Sequence, residues 1–161
     1  MGQVVDRKRL LLILKRLDDP SSEENWGAIR ELKRLDVDLP QVLFEHYKES
    51  RSWRARVSCV FFAIHDAREN NIAVQLGIMA LNDRSRVVRH RACSLLAYSL
   101  RDDALPYLRN LLMHHDTSTR EDAQAAIDAI EHRNHNWFVD RDHTGRLMWT
   151  VEKEGVSSAG R

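Results

Sequence analysis

Residues 83–116 read DRSRVVRHRACSLLAYSLRDDALPYLRNLLMHHD. Asp83 and Ser85 offer side-chain oxygens to the open amides of a helix start. After them Val88, Ala92, Leu95, Leu96 and Ser99 recur at helical spacing and make one apolar face. Arg84, Arg86, Arg89 and Arg91 fall largely off that face. Asp102-Asp103 interrupts the pattern and can cap a second helix. Pro106 stands near that helix's start, where a missing amide is tolerated. Leu105, Leu108, Leu111 and Leu112 form the second apolar face. A connection of a few residues makes the two helices antiparallel. Neither helix buries its face alone, so the pair requires neighbours.

Outward from this pair, the neighbours read as approximate copies of it. Ser52, Ser85 and Ser118 are 33 residues apart. Asp19-Pro20-Ser21, Asp83-Arg84-Ser85 and Asp116-Thr117-Ser118 share Asp-x-Ser at expected helix starts. Cys59 and Cys93 occupy nearly equivalent places, and Ile78-Met79 maps onto Leu111-Leu112. In the last copy the apolar set is Ala123, Ala126, Ile127 and Ile130, about two residues out of step. A period of this length is the signature of stacked helical repeats.

The run D-R-S-R-V-V-R-H-R-A-C-S-L-L, then D-D-A-L-P-Y-L-R-N-L-L and D-T-S-T-R-E-D-A, resembles HEAT-type repeats, especially the short bacterial variety related to the phycobilin-lyase HEAT-like repeats. Asp83, Val88, Arg89, Ala92 and Leu95 match the family's Asp, Val-Arg, Ala and Leu. The resemblance is close over residues 83–130, looser over 50–82 and faint over 20–49. It departs at Ala55-Arg56, where Ala replaces Val, and at Thr119-Arg120, which comes early. It implies an α-α superhelix, a solenoid of antiparallel helix pairs. It also implies that an Arg at the Arg89 position pairs with neighbouring acids.

The chain has 161 residues and a formal charge of +1, which bounds it to one domain and selects no partner class. Residues 51–101 nevertheless hold nine Lys or Arg against three Asp or Glu. Two cysteines inside apolar helical patterns point to buried thiols in a reducing, cytoplasmic setting. The aliphatic run Leu10–Leu14 is too short to span a bilayer, which needs about 20 apolar residues. Basic residues flank it and no small-residue cleavage site follows, so neither a membrane partner nor a secretory signal is expected.

Residues 4–17 read as an amphipathic end helix with Leu10, Leu14 and Leu17 on one side, closing the stack. Ser21 and Glu24 fit a capping box, followed by Trp26, Ile29, Leu32 and Leu35. A short helix from Pro40 carries Val42, Leu43 and Tyr47. Ser52 opens a strongly apolar helix with Cys59, Val60, Phe62 and Ala63, and Ile72–Leu81 forms its partner. Gly77 inside that partner marks close packing. Then WFVDRDHTGRLMWTV, residues 137–151, predicts a β-hairpin with strands near 137–141 and 146–151, set on the helices by Trp137, Phe138, Leu147 and Trp149. The expected division is a repeat domain over 1–133, the hairpin over 134–153 and a disordered tail over 154–161.

No catalytic constellation rises out of these residues: no Gly-rich phosphate loop, no nucleophile elbow and no Cys/His pair. Asp140, Asp142, Thr144 and Gly145 begin like a calcium loop, but Val151 stands where the liganding Glu belongs. His132, His135 and His143 lack a further zinc ligand nearby. No metal and no cofactor are expected. The expectation is a non-enzymatic protein–protein interaction module, an adaptor or an inhibitor of the immunity type, with Gln75, Arg109, Asn110 and His114 on the groove of its second helices. The alternative is nucleic-acid binding through a basic patch of Arg51, Trp53, Arg54, Arg84, Arg86 and Arg89, with Trp53 stacking on a base. That patch also suits an acidic protein partner. Lyase or DNA-glycosylase activity stays open on the family resemblance alone, and oligomeric state is not fixed by the sequence.

Overall fold

The computed structural model describes residues 4–151. Helix α1 (Arg7–Lys15) runs into a single 3-10 turn, Arg16–Asp18. Then follow α2 (Ser22–Arg34), α3 (Leu39–Glu49), α4 (Trp53–Ala63), α5 (Asn71–Ala80), α6 (Arg86–Ser99), α7 (Leu105–Leu111) and α8 (Thr117–Glu131). The protein is all-α, with no strand among the described residues.

Helix α6 lies at the centre and packs against α4, α5 and α8, while α3 packs against α4 and α5, and α7 against α8. The leucine spacing explains this. Val88, Ala92, Leu95 and Leu96 are wholly buried on α6, as are Leu76 on α5, Leu108 on α7 and Ile130 on α8. At the amino end Ile13, Leu14 and Leu17 turn inward, and the 3-10 turn lies on α4, where Ser58 donates to the Leu17 carbonyl at 2.8 Å. Leu11 and Leu12 of α1 stay exposed.

The helix starts use different capping groups from those the sequence suggests. Ser21, Ser52 and Ser85 occupy the N-cap positions with extended backbone, but none of their hydroxyls caps the helix. Instead the aspartate two residues earlier accepts the serine amide, from Ser21 to Asp19 at 2.8 Å and from Ser85 to Asp83 at 2.9 Å. The expected Ser21–Glu24 box does not form, because Glu24 accepts from Arg16 at 3.0 Å.

An arginine clamp fixes the loop before each of three helices. Arg56 Nη1 donates to the carbonyls of Ser50 and Arg51, Arg89 Nη1 to those of Asp83 and Arg84, and Arg120 Nη1 to those of His114 and His115. In each case the acceptors lie six and five residues upstream. The clamp moves 33 residues from Arg56 to Arg89 but 31 from Arg89 to Arg120, which places Ala123, Ala126 and Ile127 where α6 has Ala92, Leu95 and Leu96. Asp116, not Ser118, is accordingly the N-cap of α8, and His114 takes the role of Asp83, its Nδ1 accepting the Asp116 amide at 3.0 Å.

The carboxyl-terminal hairpin does not form. Residues His135–Phe138 make a 3-10 turn, and residues 146–151 form neither helix nor strand. The reason lies in where the hydrogen bonds go. The Asp140 carboxylate accepts from Thr144 N, Thr144 Oγ1 and Gly145 N, and folds the Asp-His-Thr-Gly segment on itself, with His143 and Gly145 both at positive φ. Beyond the turn, Trp149 N donates to Asn136 Oδ1 and Trp149 O accepts from His135 Nε2, both at 2.8 Å. Side chains thus replace a ladder. Of the four residues expected to seat the hairpin, Phe138 is buried and Trp137 and Trp149 are half-buried, but Leu147 is exposed. The tail expected over 154–161 lies outside the described residues.

This segment is tied to the helices at Asp122. Its carboxylate accepts from Arg141 Nη2 at 2.8 Å and from His90 Nδ1 at 2.9 Å. Burial pushes the Asp122 carboxyl up, but the bonds from His90 and Arg141 and their electrostatic pull outweigh it and hold the pKa below the usual carboxylate range. The stability this group adds is therefore present above its unfolded pKa of about 4 and lost as pH falls through the folded value. Since His90 and Arg141 are more than a third exposed, Asp122→Ala should cost only about 1–2 kcal/mol in urea unfolding at neutral pH. An unchanged midpoint would show that the tie adds nothing.

Candidate functional site

Two surfaces compete for the role of functional site, and burial separates their residues. Arg89, expected in the basic patch, is 7 % exposed. Its Nε donates to Thr119 Oγ1 at 3.0 Å, its Nη1 holds the clamp carbonyls and its Nη2 lies 3.6 Å from Asp116. Arg56 is equally buried, with Nε and Nη2 on the two oxygens of Asp83 at 2.8 and 3.1 Å. These guanidiniums are spent on the fold. Arg51, Arg54, Arg84 and Arg86 remain exposed near the starts of α4 and α6. Trp53 is 45 % exposed, with the Arg54 guanidinium 5.1 Å from its ring centre. Arg84 donates to the Arg51 carbonyl at 3.3 Å and Arg86 to Ser118 Oγ at 3.4 Å, so most of their donors still face solvent.

The second surface lies along α5 and α7. Asn110 and His114 come together in a cleft of about 230 Å³, with Leu81, Asn82, Tyr107, Leu111 and Met113. Gln75 on α5 and Arg109 on α7 are exposed but outside this cleft, and Arg109 pairs with Glu131 at 3.1 Å. Burial, followed by the nearby charges of Arg89, His115 and Arg120, holds the His114 pKa below its usual value. At neutral pH its Nδ1 is thus a free-base acceptor for the Asp116 amide, and the imidazole stays fixed at the cleft wall.

Sequence reasoning missed Tyr107 and Met113. Tyr107 is 49 % and Met113 87 % exposed, and Met79 on α5 is also exposed. A signal for Tyr107 was present: it falls off the Leu105, Leu108 and Leu111 face, so a helix built on those leucines must leave it outside. Two of the histidines flanking the last turn pack against an aromatic ring. Trp137 stacks on His143 at 3.6 Å and lies 4.2 Å from His132. Among the described residues no three metal-capable side chains converge, and no helix is long and apolar enough to cross a membrane.

Fold and surfaces together define an all-α protein of packed helices with two solvent-facing candidate interfaces. No family model matches the chain, and no curated protein matches it.

Proposed function

We propose that this chain is a HEAT-like solenoid acting as a non-enzymatic protein-binding module, an adaptor or an inhibitor, which grips its partner at the α5–α7 surface. The recurring arginine clamp supports the repeat reading, since each copy fixes the same loop to the same helix position. The observation that carries the function is the cleft of Tyr107, Met113, Asn110 and His114: exposed apolar side chains ringed by polar ones, which is how interface centres and rims are built. The two buried free thiols, Cys59 and Cys93, suit a reducing cytosol.

A second reading, nucleic-acid binding, keeps one specific support: Trp53 beside Arg54, with Arg51, Arg84 and Arg86 also exposed. One experiment separates the two. Tyr107→Ser/Met113→Ser and Arg84→Glu/Arg86→Glu are compared with the parent chain in affinity capture and in a DNA titration at about 50 and about 200 mM salt. Loss of a captured protein with the cleft pair alone supports the cleft. Loss with the arginine pair alone, or duplex binding that falls by orders of magnitude between the two salts, overturns it in favour of the patch.

A further inference from the structure

A separate cavity of about 420 Å³ opens where α2, α4 and α6 meet the carboxyl-terminal segment, and it shares no residue with the α5–α7 cleft. Its volume is that of a small-molecule site, which falls between about 300 and 1,000 Å³. Four aromatic side chains line it. Trp26 meets Phe62 edge to face at 4.8 Å, and Phe61 meets Phe62 in the same way at 5.0 Å. Trp149 closes another side, held by Tyr98 at 5.8 Å and by its two backbone bonds to Asn136 and His135.

Arg91 enters this cavity from α6. It differs from the other inward arginines of the stack. Arg56 and Arg89 satisfy their guanidiniums with acids, hydroxyls and carbonyls, whereas Arg91 Nε is fully buried without a hydrogen-bond partner. Among the described residues its guanidinium meets the Phe61 ring, 5.1 Å away. Burial without a counter-charge holds its pKa below the usual guanidinium value. His65 Nε2, on the same cavity, is also buried and unpartnered. Such orphans are costly and rare in native proteins unless something else supplies the missing partner.

Arg91 as a whole is only half-buried, and the charges around the cavity say what the rest of its guanidinium would receive. Among the described residues Asp66 is the one acid on the lining, and it already lies 3.6 Å from His65 Nδ1. Lys33 lines the cavity as well, and a shallower cleft of about 330 Å³ beside it shares Trp26, Ile29 and Lys33 and adds Arg30 and Arg34. Arg30, Arg34 and the half-buried Arg91 guanidinium thus flank an aromatic interior. A guanidinium matches a carboxylate in a two-pronged, charge-assisted hydrogen bond, and aromatic walls take a flat apolar body.

We propose that this cavity binds a small planar apolar molecule bearing one carboxylate, with Arg91 receiving the carboxylate and Trp26, Phe61, Phe62 and Trp149 receiving the body.

The test uses the full chain and two probes of one shape, 2-naphthoate and the uncharged 2-naphthamide, followed by titration calorimetry near neutral pH. Naphthoate should bind saturably at one site, and the amide about tenfold or more weakly. Arg91→Met should erase that preference, whereas Arg91→Lys, which keeps the charge but not the fork, should keep part of it. No saturable naphthoate binding, equal affinity for the two probes, or an unchanged preference in Arg91→Met would each overturn the proposal. If Arg91→Met does not fold, the two probes on the parent chain and on Arg91→Lys decide it. Tyr107→Ser/Met113→Ser should leave naphthoate binding unchanged, so this site stands or falls apart from the partner surface.

Discussion

Asp83→Ala should lower stability by about 3–5 kcal/mol, the range for removing one partner of a buried ion pair. The Asp83 side chain is 4 % exposed and that of Arg56 8 %. The carboxylate accepts from Arg56 Nε and Nη2, from the Tyr47 hydroxyl at 2.7 Å and from the Ser85 amide. Its removal strands a buried guanidinium, a buried hydroxyl and a helix-start amide at once. Replacing both charges, Arg56→Met with Asp83→Leu, removes the stranded cation and should recover part of the loss. Urea unfolding of the parent chain, Arg56→Met, Asp83→Leu and the double variant gives the coupling directly. Additive losses would mean that the pair does not join α4 to the loop before α6. The acid limb has a definite sign. Burial pushes the Asp83 carboxyl up, but the bonds from Arg56, Ser85 and Tyr47 outweigh it and hold it below its ordinary value. Its contribution is therefore complete above about pH 4 and disappears as pH falls through the lower folded value.

Leu95→Ala should cost about 2–5 kcal/mol, since Leu95 is wholly buried on the central helix. The sharper expectation concerns its pairing with Gly77→Ala. A Cβ on Gly77 would lie 2.6 Å from Leu95 Cδ2 and 3.0 Å from Leu96 Cδ2. Alanine there gains about 1 kcal/mol of helix propensity, but overpacking a close-packed core costs about 1–3 kcal/mol. Gly77→Ala alone should therefore be neutral to destabilising. In the Leu95→Ala background the nearest obstruction is gone, so the same methyl group fills vacated space and the propensity gain remains. Gly77→Ala should then stabilise. Thermal or urea unfolding of the single and double variants tests this reversal, and a Gly77→Ala effect of the same size in both backgrounds would show that the two sites do not touch.

How much of this was legible follows from the range of the forces involved. The α6–α7 pair could be read because leucines at helical spacing, Pro106 and Asp102-Asp103 all act within a turn or two of themselves. Arg89, expected in the basic patch, is buried against Thr119 and Asp116, the kind of pairing that the family resemblance implied. The two-residue slip of α8 relative to α6 was also visible in Ala123, Ala126 and Ile127, although Ser118 suggested the wrong cap. The hairpin failed for a different reason. Aromatic residues around a Gly turn read alike whether they pair as strands or lie on helices, and the difference rests on Asn136 and His135 taking the backbone of Trp149. Nor could the sequence mark Arg91 out from its three neighbouring arginines. Its distinction is the lack of a partner, and partners here come from far along the chain, as Asp83 does for Arg56 at a separation of 27 residues.

The cysteines described above only as buried give the chain two internal clocks. Cys59 on α4 and Cys93 on α6 have no exposed surface, and burial pushes both thiols far above the range in which thiolate forms. A thiol reagent therefore meets them only when their helices part, and the rate at which each is captured counts how often that helix opens. Two helices of one core can thus be timed separately without introducing any label, and a single cysteine placed on the surface would react against a silent background.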